Sequence, residues 1–275
     1  MKTVPPIPCS TESLAVEYVI EIDIQELISP THHESLWAMA QLGTRINPDS
    51  WCLVGGLMVV VALAERGKTP IRSAQTKDAD LLVDICASPK TLNDVVDFLE
   101  NSGFSLTERH YGDVFARCTF VGLGQKSQID VLCPDDTPKE LLNFRSDFES
   151  IAIPGGRRAM QVAQLVTIKY REDAHDLRIR VPLIAGALVV KTAAVFDERT
   201  KDQKRHLEDV VELLIGLDNP DEHRPSLSLA DQNLLGKLTT LFEDDGLHAW
   251  EGVSSAHRNQ ARTALEILIR NPNLQ

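Results

Sequence analysis

The apolar pattern of this chain becomes almost wholly helical from about residue 182, and that change limits the folds open to it. Upstream, apolar residues gather in short runs bounded by glycine, proline or polar residues, the pattern of buried strands mixed with a few helices. Residues 51–54 predict a strand, Gly55-Gly56 a turn, and residues 57–66 a helix ended by Gly67. Residues 78–85 predict the next strand, 89–101 a helix stopped by Gly103, 104–109 and 114–121 extended segments, and 128–133 another short strand. Downstream, residues 182–196, 204–215, 227–242 and 255–269 carry apolar residues at three- and four-residue steps, as amphipathic helices do. The expected fold class is α+β: a mixed β-sheet domain with flanking helices over residues 1–181, then a helical domain over residues 182–275. Ser10-Thr11-Glu12 and Thr31-His32-His33-Glu34 read as caps of two early helices, with Pro30 closing the first, so a helical preface is expected before the sheet.

Composition narrows what such a chain can do. Its 43% hydrophobic and 25% charged residues are ordinary globular values. The longest apolar stretches, residues 53–64 and 181–190, fall well short of the roughly 20 residues that a spanning helix requires. Residues 1–10 contain no continuous apolar segment, so neither a membrane anchor nor a signal peptide is expected, and the chain reads as cytoplasmic. The cysteines are odd in number, widely spaced and without a C-x-x-C pair, which argues against a disulfide framework and against a zinc site. The histidines are scattered without metal-ligand spacing and read as surface residues, while Trp37, Trp51 and Trp250 read as packing residues. A net charge of -12 lowers the case for a general nucleic-acid coat protein. Residues 157–205 nevertheless hold eleven Lys or Arg against six Asp or Glu, which reads either as a local basic groove or as unrelated surface charge. Inside that region, Pro154-Gly155-Gly156-Arg157-Arg158 reads as a β-turn with solvated arginines or as a second phosphate-contacting turn.

The chemistry is concentrated in Thr76-Lys77-Asp78-Ala79-Asp80-Leu81-Leu82-Val83. Asp78 and Asp80 are two apart at the head of an apolar strand, so their side chains leave on one face while Leu81 and Val83 take the other. Two ionised carboxylates about 4 Å apart repel by roughly 4 kcal/mol at an effective dielectric near 20, which calls for a positive group between them. A divalent cation such as Mg²⁺ or Mn²⁺ meets that need, because hard oxygens suit it and open positions remain for water and substrate phosphates. Asp130, flanked by Ile129 and Val131 in another short strand, is the third acid; on an adjacent strand it would join the pair and allow two cations to serve one phosphoryl transfer. Gly55-Gly56 comes earlier at a strand-to-helix turn, where backbone N–H groups and a helix N-terminus can approach a phosphate.

Taken in order, the Gly-Gly turn, the helix, the Thr-x-Asp-x-Asp strand and the later single acid resemble the nucleotidyltransferases of the DNA polymerase beta-like superfamily. Within it the chain is most similar to the AbiEii/MenT group of bacterial abortive-infection and toxin nucleotidyltransferases, through Arg72 and residues 76–80 and through a second block. That block runs from Val181-Pro182 to Lys191-Thr192-Ala193-Ala194, then Arg199, Lys201-Asp202 and residues 207–214. The resemblance implies that Asp78, Asp80 and Asp130 are catalytic, metal-holding carboxylates, that Lys191 contacts nucleotide phosphates and that Asp209 completes the site. It also implies nucleotide contacts from Gly55, Gly56, Thr76 and Lys77. Lys191 has a physical reason for such a role, being the only charge in the apolar run 181–196, where a buried ammonium is costly without an anion. That anion is a triphosphate or a protein carboxylate such as Asp209.

The expected activity is transfer of a nucleoside monophosphate from a nucleoside triphosphate to an acceptor hydroxyl. The acceptor is an RNA end, tRNA in the toxin-like version, in a toxin-antitoxin or abortive-infection setting with a cognate antitoxin as partner. The alternatives are a small antibiotic-type acceptor drawn by the acidic surface, or a non-catalytic nucleotide-binding module that keeps the fold.

Overall fold

Trp51–Val54 is buried at every position, as befits a short apolar run in the middle of a sheet, and the fold is laid out around it. The computed structural model describes residues 20–71, 78–86, 90–107, 117–122, 125–145, 148–172, 175–198, 200 and 202–270. The strands are β1 (Ile20–Asp23), β2 (Trp51–Val54), β3 (Asp78–Val83), β4 (Phe104–Thr107), β5 (Arg117–Gly122), β6 (Gln125–Pro134), β7 (Asn143–Arg145), β8 (Phe148–Glu149), β9 (Ile151–Ile153), β10 (Ala163–Lys169) and β11 (Leu177–Pro182). The helices are α1 (Pro30–Leu42), α2 (Gly55–Ala64), α3 (Thr91–Asn101), α4 (Lys139–Leu142), α5 (Gly156–Val162), α6 (Ile184–Val195), α7 (Gln203–Gly216), α8 (Pro220–His223), α9 (Leu229–Gly236), α10 (Leu238–Phe242) and α11 (Ser255–Ile269).

One mixed sheet runs β1-β10-β11-β2-β3-β6-β5-β4, with β9 pairing to the end of β6 and β7-β8 forming a separate small ladder. β3 and β6 are parallel, while β2 runs antiparallel to β3. The last strand ends at Pro182 and the later described elements are helical, so the chain adopts the expected α+β architecture. Two sets of helices cover the sheet: α1 and α3 pack together and onto β6, β3, β4 and β5, while α2, α5, α6 and α7 pack on one another and reach β2, β3 and β11. Residues 57–63 of α2 are all buried, because the helix lies between the sheet and α6 and α7 and has no face left for water. α7 shows the contrasting pattern, burying Leu207, Val210, Val211 and Leu214 on one stripe. A single apolar cluster contains Ile22 near the start and Leu268 near the end, and among the described residues no helix is long and apolar enough to cross a membrane.

Several expectations need correction. Ile20–Asp23 is a strand parallel to β10 rather than part of a helical preface, and the Ser10-Thr11-Glu12 cap lies outside the described residues. Pro30 opens α1 instead of closing a helix. Its missing N–H costs nothing at a first helical position, and Ser29 with His32 forms the capping box just before it. The helix expected over residues 227–242 is two, divided at Lys237. Trp37 is 43% exposed, although Trp51 and Trp250 are buried; His32 is fully buried. Cys52 and Cys133 are buried free thiols and Cys86 an exposed one.

Arg157 and Arg158 are partly buried and already paired within the protein. Gly155 takes φ +73° before α5, and the Gly155 and Arg157 amides donate to the Asp135 carboxylate. The Arg157 guanidinium donates to both Asp84 oxygens at 2.6 and 3.1 Å and to Asp136 at 2.7 Å, while Arg158 pairs with Asp231 at 2.8 Å. Asp84 directly follows β3 and Asp135-Asp136 directly follow β6, so one arginine ties together the ends of the two parallel strands. Arg157→Ala is expected to lower the unfolding free energy by about 1–3 kcal/mol, since bidentate, partly buried charge pairs are among the stronger polar contacts. Urea titration checks this, and a double-mutant cycle with Asp84→Asn should show that most of the loss is shared between the two residues.

Candidate active site

The β3–β6 register sets Asp80 directly opposite Asp130, and the β2–β3 register sets it opposite Val54. Matched residues on adjacent strands leave the sheet on the same side, and Asp78, two residues earlier, shares that side. Asp78, Asp80 and Asp130 are therefore brought together on one face, with Asp130 only 7% exposed and Asp78 and Asp80 half-buried. Ala79, Leu81 and Val83 are buried, which anchors the strand and fixes which way the acids point.

Gly55 follows Val54 immediately and starts α2 with φ +71°, a left-handed conformation that glycine adopts without penalty. A Cβ built there would overlap the Asp80 carboxylate, so the Gly55 backbone lies against that side chain. Gly56 stands beside it in the first turn of α2, half-buried. Thr76, Lys77 and Arg72 lie outside the described residues.

The positive side of the cleft comes from the helices after the sheet. α6 is apolar and buried along most of its length, and it carries Lys191 at 3% exposure. The Lys191 Nζ meets Asp209 Oδ2 on α7 at 2.5 Å. Burying a large aliphatic side chain stabilises by about 1.5–3 kcal/mol, so the leucines and valines of α6 can carry one desolvated ammonium that has a carboxylate beside it.

The electrostatics link the two halves. Burial, and next the facing Asp130, push the Asp80 carboxyl up from 3.8 to about 7; Asp78 pushes the same way, while Lys191 and then Arg205 oppose the rise. Asp80 thus feels both the strand acids and the helix cations. His206, read from sequence as a surface residue, is largely enclosed: burial first, then Lys191, lower its imidazole to about 4 against the pull of Asp209. Its Nδ1 is buried without a hydrogen-bond partner among the described residues. Arg205 and His206 were not singled out from sequence. The signal for them is their spacing of four and three residues before Asp209, which puts them on that acid's side of α7.

Among the described residues no three His, Cys, Asp or Glu side chains converge closely enough to cage a metal ion unaided. The donor set still fits Mg²⁺ or Mn²⁺, because such ions are commonly held by one or two carboxylates with water and substrate phosphates completing the shell. The facing Asp80 and Asp130 supply those hard oxygens, and the charge of Asp130 adds to the burial that raises the Asp80 carboxyl, a cost that a cation between them would relieve.

That shift has a stability consequence. The folded-state pKa of Asp80 lies above its unfolded value of 3.8, so its ionisation opposes folding. The penalty is absent below that value, grows as pH rises toward about 7, and is fully present above it. Asp80→Asn should therefore stabilise the metal-free protein at pH 8, by on the order of a few kcal/mol, and give little benefit at pH 4. Thermal melts at the two pH values check this; Mg²⁺ should raise the midpoint of the unsubstituted protein at pH 8 and leave that of Asp80→Asn nearly unmoved.

Neither a family model nor a curated protein sequence matches the chain. Among solved structures it is similar to an antigenic nucleotidyltransferase-like protein from Paracoccidioides brasiliensis, with 13% identity, 90% of this chain and 98% of that chain covered, and a TM-score of 0.49. A likeness of that size leaves function to the residues of the cleft itself.

Proposed function

We propose that this chain is a metal-dependent nucleotidyltransferase that moves a nucleoside monophosphate from a nucleoside triphosphate to an acceptor hydroxyl. The observation that carries the reading is the rung of β3 and β6 on which Asp80 faces Asp130, under the electrostatic reach of Lys191. In this reading Asp78, Asp80 and Asp130 hold one or two divalent cations, which supply charge neutralisation for the phosphates. Gly55 and Gly56 form the nucleotide side of the cleft, Thr76 and Lys77 are the further nucleotide contacts that the resemblance implies, and Lys191 exchanges Asp209 for a phosphate oxygen. Asp130 accepts the proton of the acceptor hydroxyl as its oxygen bonds to the α-phosphorus. The bond from that phosphorus to the bridging oxygen breaks, and pyrophosphate leaves with the electron pair.

The acceptor proposed first is an RNA end, such as that of a tRNA, in a toxin-antitoxin setting, as the resemblance to the AbiEii/MenT group implies. One structural observation favours the second reading, a small-molecule acceptor. Much of the basic surplus over residues 157–205 is spent inside the protein: Arg157 on Asp84 and Asp136, Arg158 on Asp231, Lys169 on Glu21, Arg180 on the Met160 and Ala163 carbonyls, and Lys191 on Asp209. Cations already paired offer little to a phosphate backbone.

Incubation with α-labelled nucleoside triphosphates, Mg²⁺ and total RNA, beside an Asp80→Ala variant, tests both readings. Label should enter RNA and fall by at least about 100-fold in the variant, the scale of losing a main electrostatic stabiliser. RNA labelling that weakens steeply with salt supports the RNA acceptor. Label confined to added hydroxylated small molecules supports the second reading, and no transfer to any acceptor overturns the enzymatic one.

A further inference from the structure

Arg205 sits in the first turn of α7, four residues before Asp209, a spacing that sets both side chains on one face of the helix. That face turns toward α6, because Asp209 meets Lys191 there. The Arg205 backbone amide donates to the Asp202 side chain that caps α7. Its side chain is half-buried, yet among the described residues its guanidinium makes no ion pair and no hydrogen bond. The charge is nevertheless felt at Asp80 across the cleft and at the neighbouring His206.

Several other cations near the sheet differ. Arg157, Arg158 and Arg180 each donate to protein oxygens, and Lys191 is held by Asp209. A half-enclosed guanidinium hydrated by water alone keeps its five donors open to a ligand, and its planar fork matches two oxygens of one phosphate. Asp80 does not serve as the acceptor, since it exerts a field on Arg205 without hydrogen-bonding to it.

We infer that Arg205 is a phosphate-binding residue of this cleft, an uncommitted cation that receives the non-transferred phosphates of a nucleoside triphosphate. The nucleoside part of this statement rests on the nucleotidyltransferase reading; the anion part rests on Arg205 alone. An order of engagement follows, because Arg205 has only water to shed whereas Lys191 must first part from Asp209. Polyphosphate meets Arg205 first and Lys191 second.

The test is calorimetric binding of inorganic pyrophosphate to the full chain without metal, for the unsubstituted protein, Arg205→Gln and Arg205→Lys, with melting temperatures and the KM for nucleoside triphosphate measured alongside. Arg205→Gln should weaken pyrophosphate binding at least ~10-fold, the loss of a charge-assisted fork. Arg205→Lys should recover part of it, and the melting temperature should hold, since no internal partner is lost. Unchanged pyrophosphate affinity and unchanged KM in Arg205→Gln overturn the inference while leaving nucleotidyl transfer standing. Loss of pyrophosphate binding in Arg205→Gln, in a protein that transfers no nucleotide, supports the anion site and sinks the transfer reading. A fall in melting temperature that tracks the loss of binding, without rescue by lysine, assigns Arg205 a structural role and overturns the inference, as does an unsubstituted protein that binds no pyrophosphate.

Discussion

The repulsive contact between Asp80 and Asp130 is the constraint to which the rest of the molecule answers. Parallel pairing of β3 with β6 forces the two carboxylates onto one face, and burial denies them the water that would screen them. Of the residues around that rung, some sustain the register and others supply opposing charge. Arg157 binds the carboxylate just past β3 together with one just past β6 and so holds the strands aligned four residues beyond Asp80. Gly55 leaves its Cβ position empty so that the Asp80 carboxylate can occupy the space.

The opposing charge arrives on helices that would otherwise be plain packing elements. α6 is buried for most of its length, and its aliphatic contacts with α2, α5 and α7 supply the stability that lets Lys191 sit almost without solvent. Asp209 pairs with that lysine in the protein as it stands, at 2.5 Å. Such a pair is weak evidence for stability, because desolvation consumes most of its Coulomb energy. Lys191 also opposes the rise of the Asp80 carboxyl, and under the proposed function the pair is the resting arrangement of a site that receives an anion together with cations.

The distribution of the basic residues separates what holds the molecule together from what remains for a ligand. Arginines whose spacing suggested a phosphate turn or a basic groove are largely consumed by Asp84, Asp136, Asp231 and backbone carbonyls. Charge counts along a sequence record how many cations a segment holds; only the fold shows which of them already have partners. In a chain with a net charge of -12, carboxylates are abundant enough that most well-placed arginines find one.

The amino-acid sequence alone determined the α+β class, the position of Asp78 and Asp80 on one strand face, the abrupt change to helices after Pro182, and the buried, singly charged character of α6. These are local properties, set by periods of two and of about three and a half residues and by turn residues such as Gly67 and Gly103. The sequence misplaced Pro30 and left β1 unread, because a four-residue strand at a sheet edge is stabilised by its partner β10 and not by its own pattern. Only the tertiary structure decided that Asp130 lies opposite Asp80, that Asp209 holds Lys191, that Arg157 is a clamp, and that His206 and Arg205 belong to the cleft. Those facts depend on contacts between residues far apart along the chain, whose energies come from burial and from electric fields that no local spacing encodes.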